Sequence, residues 1–129
     1  MKLYRCSTCG KIILEVNETM PTPSCCGSEM MMLEPEMTDG MLEKHVPVYE
    51  MNGSVICITI GADKHPMTKE HHIEYIMLET NKGVYLRHVF KSVGEDGFPG
   101  VCFHLTAGEV PIEIIEYCNI HGLYSKKCL

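Results

Sequence analysis

The sequence predicts a mainly β protein in two parts, a small cysteine-bound module followed by an antiparallel β-sandwich. Three observations carry this. Of the eight cysteines, Cys6, Cys9, Cys25 and Cys26 precede residue 36 in a stretch without histidine, while all seven histidines lie from His45 onward. A polar stretch, Glu34-Pro35-Glu36-Met37-Thr38-Asp39-Gly40, reads as a linker between the two chemistries. Beyond it, short runs rich in Val, Ile and Tyr alternate with turn residues, the signature of strands joined by hairpins and loops.

The boundary is placed accordingly, with one domain over residues 1–36 and a second over 37–129. The first is too short to bury a self-sufficient core, so a metal is expected to hold it together. In the second, strands are expected at Val46 to Met51, Val55 to Ile60, His71 to Thr80, Val84 to Lys91, Val101 to Leu105 and Ile112 to Tyr117. Asn52-Gly53 and Asn81-Lys82-Gly83 read as hairpin turns, Gly94 to Gly100 as a looser loop, and Ala107-Gly108 as the closure of another strand pair. No segment shows a helical period over the length of a stable helix.

With 129 residues, 45% hydrophobic and 22% charged, the composition is that of a globular protein. No apolar run is long enough to span a bilayer and the N-terminus has no signal-like segment, so a cytoplasmic protein away from membranes is expected. In that compartment eight cysteines read as metal ligands rather than disulfides. A formal charge of -6 argues against nucleic acid as a partner. It would also repel a small anion at long range, so an anionic substrate requires a local positive field.

Cys6-Ser7-Thr8-Cys9-Gly10 is a knuckle in which two thiolates share one metal, and Cys25-Cys26-Gly27 supplies a second pair. Four thiolates suit tetrahedral iron or zinc, and the spacing alone leaves both open. Adjacent cysteines tend to point apart, so their use on one ion is expected to strain the backbone. CxxCG followed by CCG resembles desulforedoxin, a small rubredoxin-like iron domain, and that resemblance implies iron.

In the second domain the metal-binding residue types occur in Glu43-Lys44-His45-Val46-Pro47, His65-Pro66-Met67, Lys69-Glu70-His71-His72 and Cys118-Asn119-Ile120-His121-Gly122-Leu123. Dispersed segments of this kind converge where loops meet at one end of a β scaffold. His71 and His72 leave opposite faces if they lie on a strand, so one of them at most reaches a given metal. The more apolar alternation His71, Ile73, Tyr75, Met77 favours His71. His72, His88 and His104 read as ordinary surface or core residues. Cys57 and Cys102 read as small packing residues in mid-strand, and Cys128 as part of a fraying terminus. The methionines, among them Met30 to Met32, read as pliable filler.

The combination of EKHVP, HPM, a histidine six residues after the HPM histidine, and CNxHGL resembles the catalytic domain of neelaredoxin and desulfoferrodoxin. With the cysteine module in front, the resemblance covers almost the whole chain and matches the two-iron form. It implies an immunoglobulin-like sandwich with one iron held by His45, His65, His71, His121 and an axial Cys118, and a second iron held by Cys6, Cys9, Cys25 and Cys26. The tryptophan usual after the HxxxxxH motif is replaced by Tyr75, as the chain contains no tryptophan.

The activity implied is superoxide reductase: superoxide is reduced to hydrogen peroxide without being oxidised back, with electrons from a donor such as rubredoxin. Five protein ligands on an ion that accepts six leave one position for a small molecule. The resemblance gives Lys44 the role of attracting superoxide and steering its protonation, and Glu43 that of a ligand to ferric iron after turnover. It also implies a homodimer. Two other readings stay open on the residues alone: a non-catalytic iron electron carrier, and a β-sandwich binding module stabilised by zinc.

Overall fold

A computed structural model describes residues 2–35, 44–61 and 63–128. The chain divides into two compact units, Met1–Glu34 and Pro35–Leu129. Among the described residues no helix is long and apolar enough to cross a membrane.

In the first unit, β1 (Lys2–Arg5) is the centre of a three-stranded sheet flanked by β2 (Ile12–Glu15) and β5 (Met31–Met32). The short strands β3 (Ser24–Cys25) and β4 (Ser28–Glu29) form a hairpin. Among the described residues the buried cluster is Tyr4, Cys6 and Met30, with Ile13 and Cys25 against it and Leu3 also buried, too little apolar area for stability without cross-links. Met30 thus fills the core as read from the sequence, whereas Met31 and Met32 are exposed.

The second unit is a sandwich of a three-stranded and a four-stranded sheet. β6 (Pro47–Asn52), β7 (Val55–Ile60) and β10 (Gly100–His104) form the first, in the order β10-β7-β6. β8 (Ile73–Thr80), β9 (Gly83–His88), β11 (Pro111–Cys118) and β12 (Gly122–Lys127) form the second, in the order β12-β11-β8-β9. All pairings are antiparallel, and the division of seven strands is that of an immunoglobulin-like sandwich. Ile56, Ile58 and Ile60 of one sheet meet Ile76, Leu78 and Ile114 of the other in the core. Each such side chain contributes about 1.5–3 kcal/mol by leaving water.

Four expectations are corrected. The run from Val84 does not continue as a strand to Lys91: after His88 it turns into a short helix, α1 (Val89–Val93). The His88 ring accepts the Lys91 amide at its start, and Gly94 ends it. Ala107-Gly108 does not close a hairpin, because β10 and β11 lie in different sheets and the segment crosses between them. The C-terminal end does not fray at Cys128, which donates its amide to Ile112 O and packs against the core beyond β12, a strand the sequence reading missed. Finally, Cys57 and Cys102 do not fill the core. They lie directly opposite each other on β7 and β10 and are disulfide-bonded, 45 residues apart in sequence. A bridge of that span restricts the unfolded chain by about 4 kcal/mol.

Candidate metal centres

Among the described residues two groups of ligating side chains come together. In the first unit the sulfurs of Cys6, Cys9, Cys25 and Cys26 offer ligand atoms within 4.8 Å of one another. Cys6 and Cys9 stand in the turn between β1 and β2, and the Cys9 amide points at Cys6 Sγ at 3.4 Å. Cys25 ends β3, and Cys26 adopts a positive φ of 51°, which a side chain rarely tolerates. The strain expected of adjacent cysteines therefore falls on Cys26, whose left-handed backbone turns its sulfur back toward its neighbour's.

Amides of Cys9 and Thr8 pull the Cys6 thiol down to about 6. Contacts with Cys9 and Cys6 push Cys26 up to about 12. Four crowded sulfurs resist becoming thiolates together unless a cation neutralises them, so this donor set fits a metal ion.

In the second unit, His45 precedes β6, His65 and His71 lie between β7 and β8, Cys118 ends β11 and His121 sits in the turn before β12. Antiparallel pairing places these positions at one end of the sandwich. The four imidazoles close a square: ring centroids are 4.6 Å apart for His45 and His65, 4.7 Å for His65 and His71, 5.0 Å for His71 and His121, and 5.0 Å for His121 and His45. Neighbouring rings meet edge to face at 63–81°. Cys118 is fully buried, its Sγ 3.9 Å from His121 Nδ1. His45, His65, His71 and Cys118 offer ligand atoms within 4.8 Å of one another.

His71, not His72, joins the square, but not through strand alternation, since β8 begins only at Ile73. The turn Thr68 to His71 sets it: Thr68 N donates to His71 O, and His71 N to Thr68 Oγ1. His72 is drawn away, its Nδ1 on Thr68 O at 2.8 Å and its ring stacked on Phe90. A register shift then skips Glu74, so that Ile73 and Ile76 both enter the core and the simple phase of the run fails.

The site is electrically prepared for a cation. Burial, then the neighbouring imidazoles, hold His45 and His65 down to about 4, and burial lowers His71 as well. All three are neutral at pH 7, with lone pairs available. His65 Nδ1 donates to Pro66 O at 2.8 Å, which fixes the tautomer and leaves Nε2 as an acceptor. His45 Nδ1, His65 Nε2 and His71 Nε2 are buried without a hydrogen-bond partner. Burying each such atom costs about 1–3 kcal/mol, which ligation of a metal would remove for His65 Nε2 and His71 Nε2, while His45 Nδ1 faces Glu116. Burial raises the Cys118 thiol while the amides of His121 and Ile120 favour its thiolate.

This has a consequence for the metal-free protein. The native histidines bind a proton near 4 and the unfolded ones near 6.5, so between those values the unfolded chain holds more protons. Stability is therefore expected to fall as pH is lowered from about 6.5 toward 4 and to be flat in this respect above 6.5. Urea midpoints measured on metal-free protein across that range test it.

Three residues at this site were given no role from the sequence, although Asn119 stands in the CNxHGL motif. Glu116 is fully buried on β11, with neither carboxylate oxygen hydrogen-bonded and Oε1 3.8 Å from His45 Nδ1. Burial pushes its pKa well above the usual carboxylate range. The signal was a charged residue inside the apolar run Ile114-Ile115-Glu116-Tyr117. Asn119 clamps the Cys118 turn to the His71 loop: its Oδ1 accepts from His72 N, its Nδ2 donates to Glu70 O, and its own amide donates to His72 O.

Gly61, at φ 79°, lets the backbone of Lys44 pass, since a Cβ there would lie against Lys44 O, 2.8 Å from Lys44 C and 3.0 Å from Asp63 O. Gly61→Ala is expected to displace the Lys44-His45 segment and weaken metal binding at this site about 10–100-fold, as loss of outer supports does. Competition with a chromophoric chelator measures it.

Lys44 is exposed beside buried His45, and its charge helps to lower both His45 and His71. Lys64, by contrast, donates to Asp96 O at 3.3 Å. Glu43 lies outside the described residues.

Four imidazoles and one buried thiolate in one unit, with four thiolates in the other, define a protein fitted for two mononuclear non-haem iron ions. The sequence model of the Desulfoferrodoxin family matches residues 37–127. Desulfoferrodoxin of Syntrophotalea carbinolica is 36% identical over 98% of this chain and 96% of its own length. A superoxide reductase of Thermococcus kodakarensis is 35% identical, over 66% of this chain and 85% of its own. The crystal structure of the superoxide reductase from Treponema pallidum superposes with a TM-score of 0.78 at 33% identity, covering 98% of this chain and 96% of that one. The chain belongs to the desulfoferrodoxin family.

Proposed function

We propose that the protein is a superoxide reductase in which His45, His65, His71, His121 and Cys118 are the ligands of the reactive iron. The observation that carries this is the closed square of imidazoles with a buried thiolate beside it, in a family whose relatives include proteins named superoxide reductase. Held by His45, His65, His71, His121 and Cys118, an iron ion would provide the one electron that, with two protons, converts superoxide to hydrogen peroxide.

The chain's own residues do the rest. Neutral imidazoles present their lone pairs, and the amides of Ile120 and His121 partly offset the burial that disfavours the Cys118 thiolate, so that a bound cation would complete the ligating state. Lys44 supplies positive charge at the rim, where the net charge of -6 would otherwise repel the anion. Glu43 is proposed as the carboxylate that would bind the iron in its ferric form after turnover. Cys6, Cys9, Cys25 and Cys26 are proposed as ligands of the first iron, in a domain over residues 1–36 ahead of the catalytic domain over 37–129. An external donor such as rubredoxin would supply electrons to a homodimer.

Iron analysis followed by rapid mixing of the reduced protein with superoxide tests the reading. One peroxide formed per superoxide consumed, with no oxygen evolved, is the expected result. Oxygen evolution would point to dismutation, and a slow reaction to a mere electron carrier. Cys26→Ser is expected to release the first metal and loosen the first unit. Superoxide reduction by the chemically reduced second site should be unchanged. Metal content and stopped-flow rates measured on the same sample check both halves.

A further inference from the structure

Cys57 and Cys102 belong to neither metal cluster. They are directly opposite partners on β7 and β10, with Cα atoms 4.1 Å apart, near the narrow spacing of antiparallel pairs that share no backbone hydrogen bonds. Side chains at such a pair stand close enough to bond without any movement of the ladder. The alternation of β7 and β10 sends Ile56, Ile58, Val101 and Phe103 into the core. Cys57 and Cys102 are thereby turned to the outer face of the sheet.

Cys102 is exposed and lies on β10, an edge strand, whereas Cys57 is half-buried on the central strand. An external thiolate therefore has access to Cys102 Sγ, with Cys57 as the leaving sulfur. Exposed His104 stands two residues along on the same face, and Glu50 is paired with Cys57 from the other side. Val55 lies on the same face beside Cys57, but with Cys102 exposed and His104 and Glu50 polar, the freed Cys102 thiol would be solvated rather than buried.

We infer that Cys57 and Cys102 form a reversible thiol–disulfide site, reduced by dithiols and re-formed by hydrogen peroxide. In reduction, the dithiol attacks Cys102 Sγ, Cys57 leaves as a thiolate and is protonated, and closure of the donor's own disulfide releases Cys102 as a thiol. In re-formation, the two thiols give up two electrons and two protons to hydrogen peroxide, which becomes two molecules of water. Exposure is what separates labile disulfides of this kind from structural ones. Here the bond can open while the β7 and β10 ladder stays hydrogen-bonded. The oxidant is the product of the reaction proposed above, and the inference rests on that reading only for the oxidant's source.

The test therefore adds peroxide directly to the iron-loaded protein, without superoxide. Thiol alkylation followed by peptide mass spectrometry is expected to show Cys57 and Cys102 linked as isolated. In millimolar dithiothreitol both should become free, with the β circular dichroism retained, and stoichiometric peroxide should link them again. Cys102→Ser should lose the linkage and keep the wild-type rate with superoxide. The inference is overturned if the linkage is absent, if it survives dithiothreitol until the chain unfolds, or if the two thiols ignore peroxide. Superoxide rates on the same samples judge the iron site separately.

Discussion

Cys118→Ser is expected to leave a folded sandwich that no longer reduces superoxide productively. The side chain is fully buried at the end of β11, beside His121 Nδ1 and under the amides of Ile120 and His121. Serine fills nearly the same space, so the core around Ile73 and Ile114 should hold. Its hydroxyl is harder and far less acidic than a thiol, and it donates little electron density to a metal. Loss of an outer support costs a metal site about 10–100-fold, so loss of a ligand should exceed about 100-fold in rate with superoxide. The thiolate-to-iron absorption should vanish while the first site's spectrum remains. An unchanged rate in iron-loaded Cys118→Ser would exclude the thiolate from the reaction.

Lys44→Ala is expected to slow the encounter with superoxide by about tenfold or more, within the range that steering supplies. Lys44 is exposed, adjoins His45, and acts on both His45 and His71. A solvated lysine elsewhere on a protein of charge -6 would change the rate little. The wild-type rate should fall as salt is added and that of Lys44→Ala should respond less, because screening removes only a field that exists. Pulse radiolysis across ionic strength measures both, and equal, salt-independent rates would remove Lys44 from the mechanism.

The sandwich was largely legible because its strands are written in local chemistry. Val55 to Ile60 alternates in burial along its whole length, and its hairpin partner, β6, leads into the turn at Asn52-Gly53. Where the reading failed, distant partners had decided the outcome. The bulge at Glu74 depends on β11, the bond between Cys57 and Cys102 on a register between strands far apart in sequence, and the clamp of Asn119 on a loop that only the fold brings near. The two clusters of candidate ligands were legible for different reasons. The paired cysteines stand out by their spacing and the histidine set was implied by the resemblance, whereas the burial of Glu116 was signalled only by one charge inside an apolar run.

The two ligand sets also differ in how they lie along the chain. The four cysteines of the first are complete by residue 26, within one small unit. The second draws on His45, before the first strand of the sandwich, and on His121, in the turn before its last. A chain emerging from its N-terminus can fill the first centre while most of the sandwich is still unmade. The second ligand set comes together only when the β11 and β12 hairpin has docked beside β8, so the layout of the sequence lets the first centre be filled earlier.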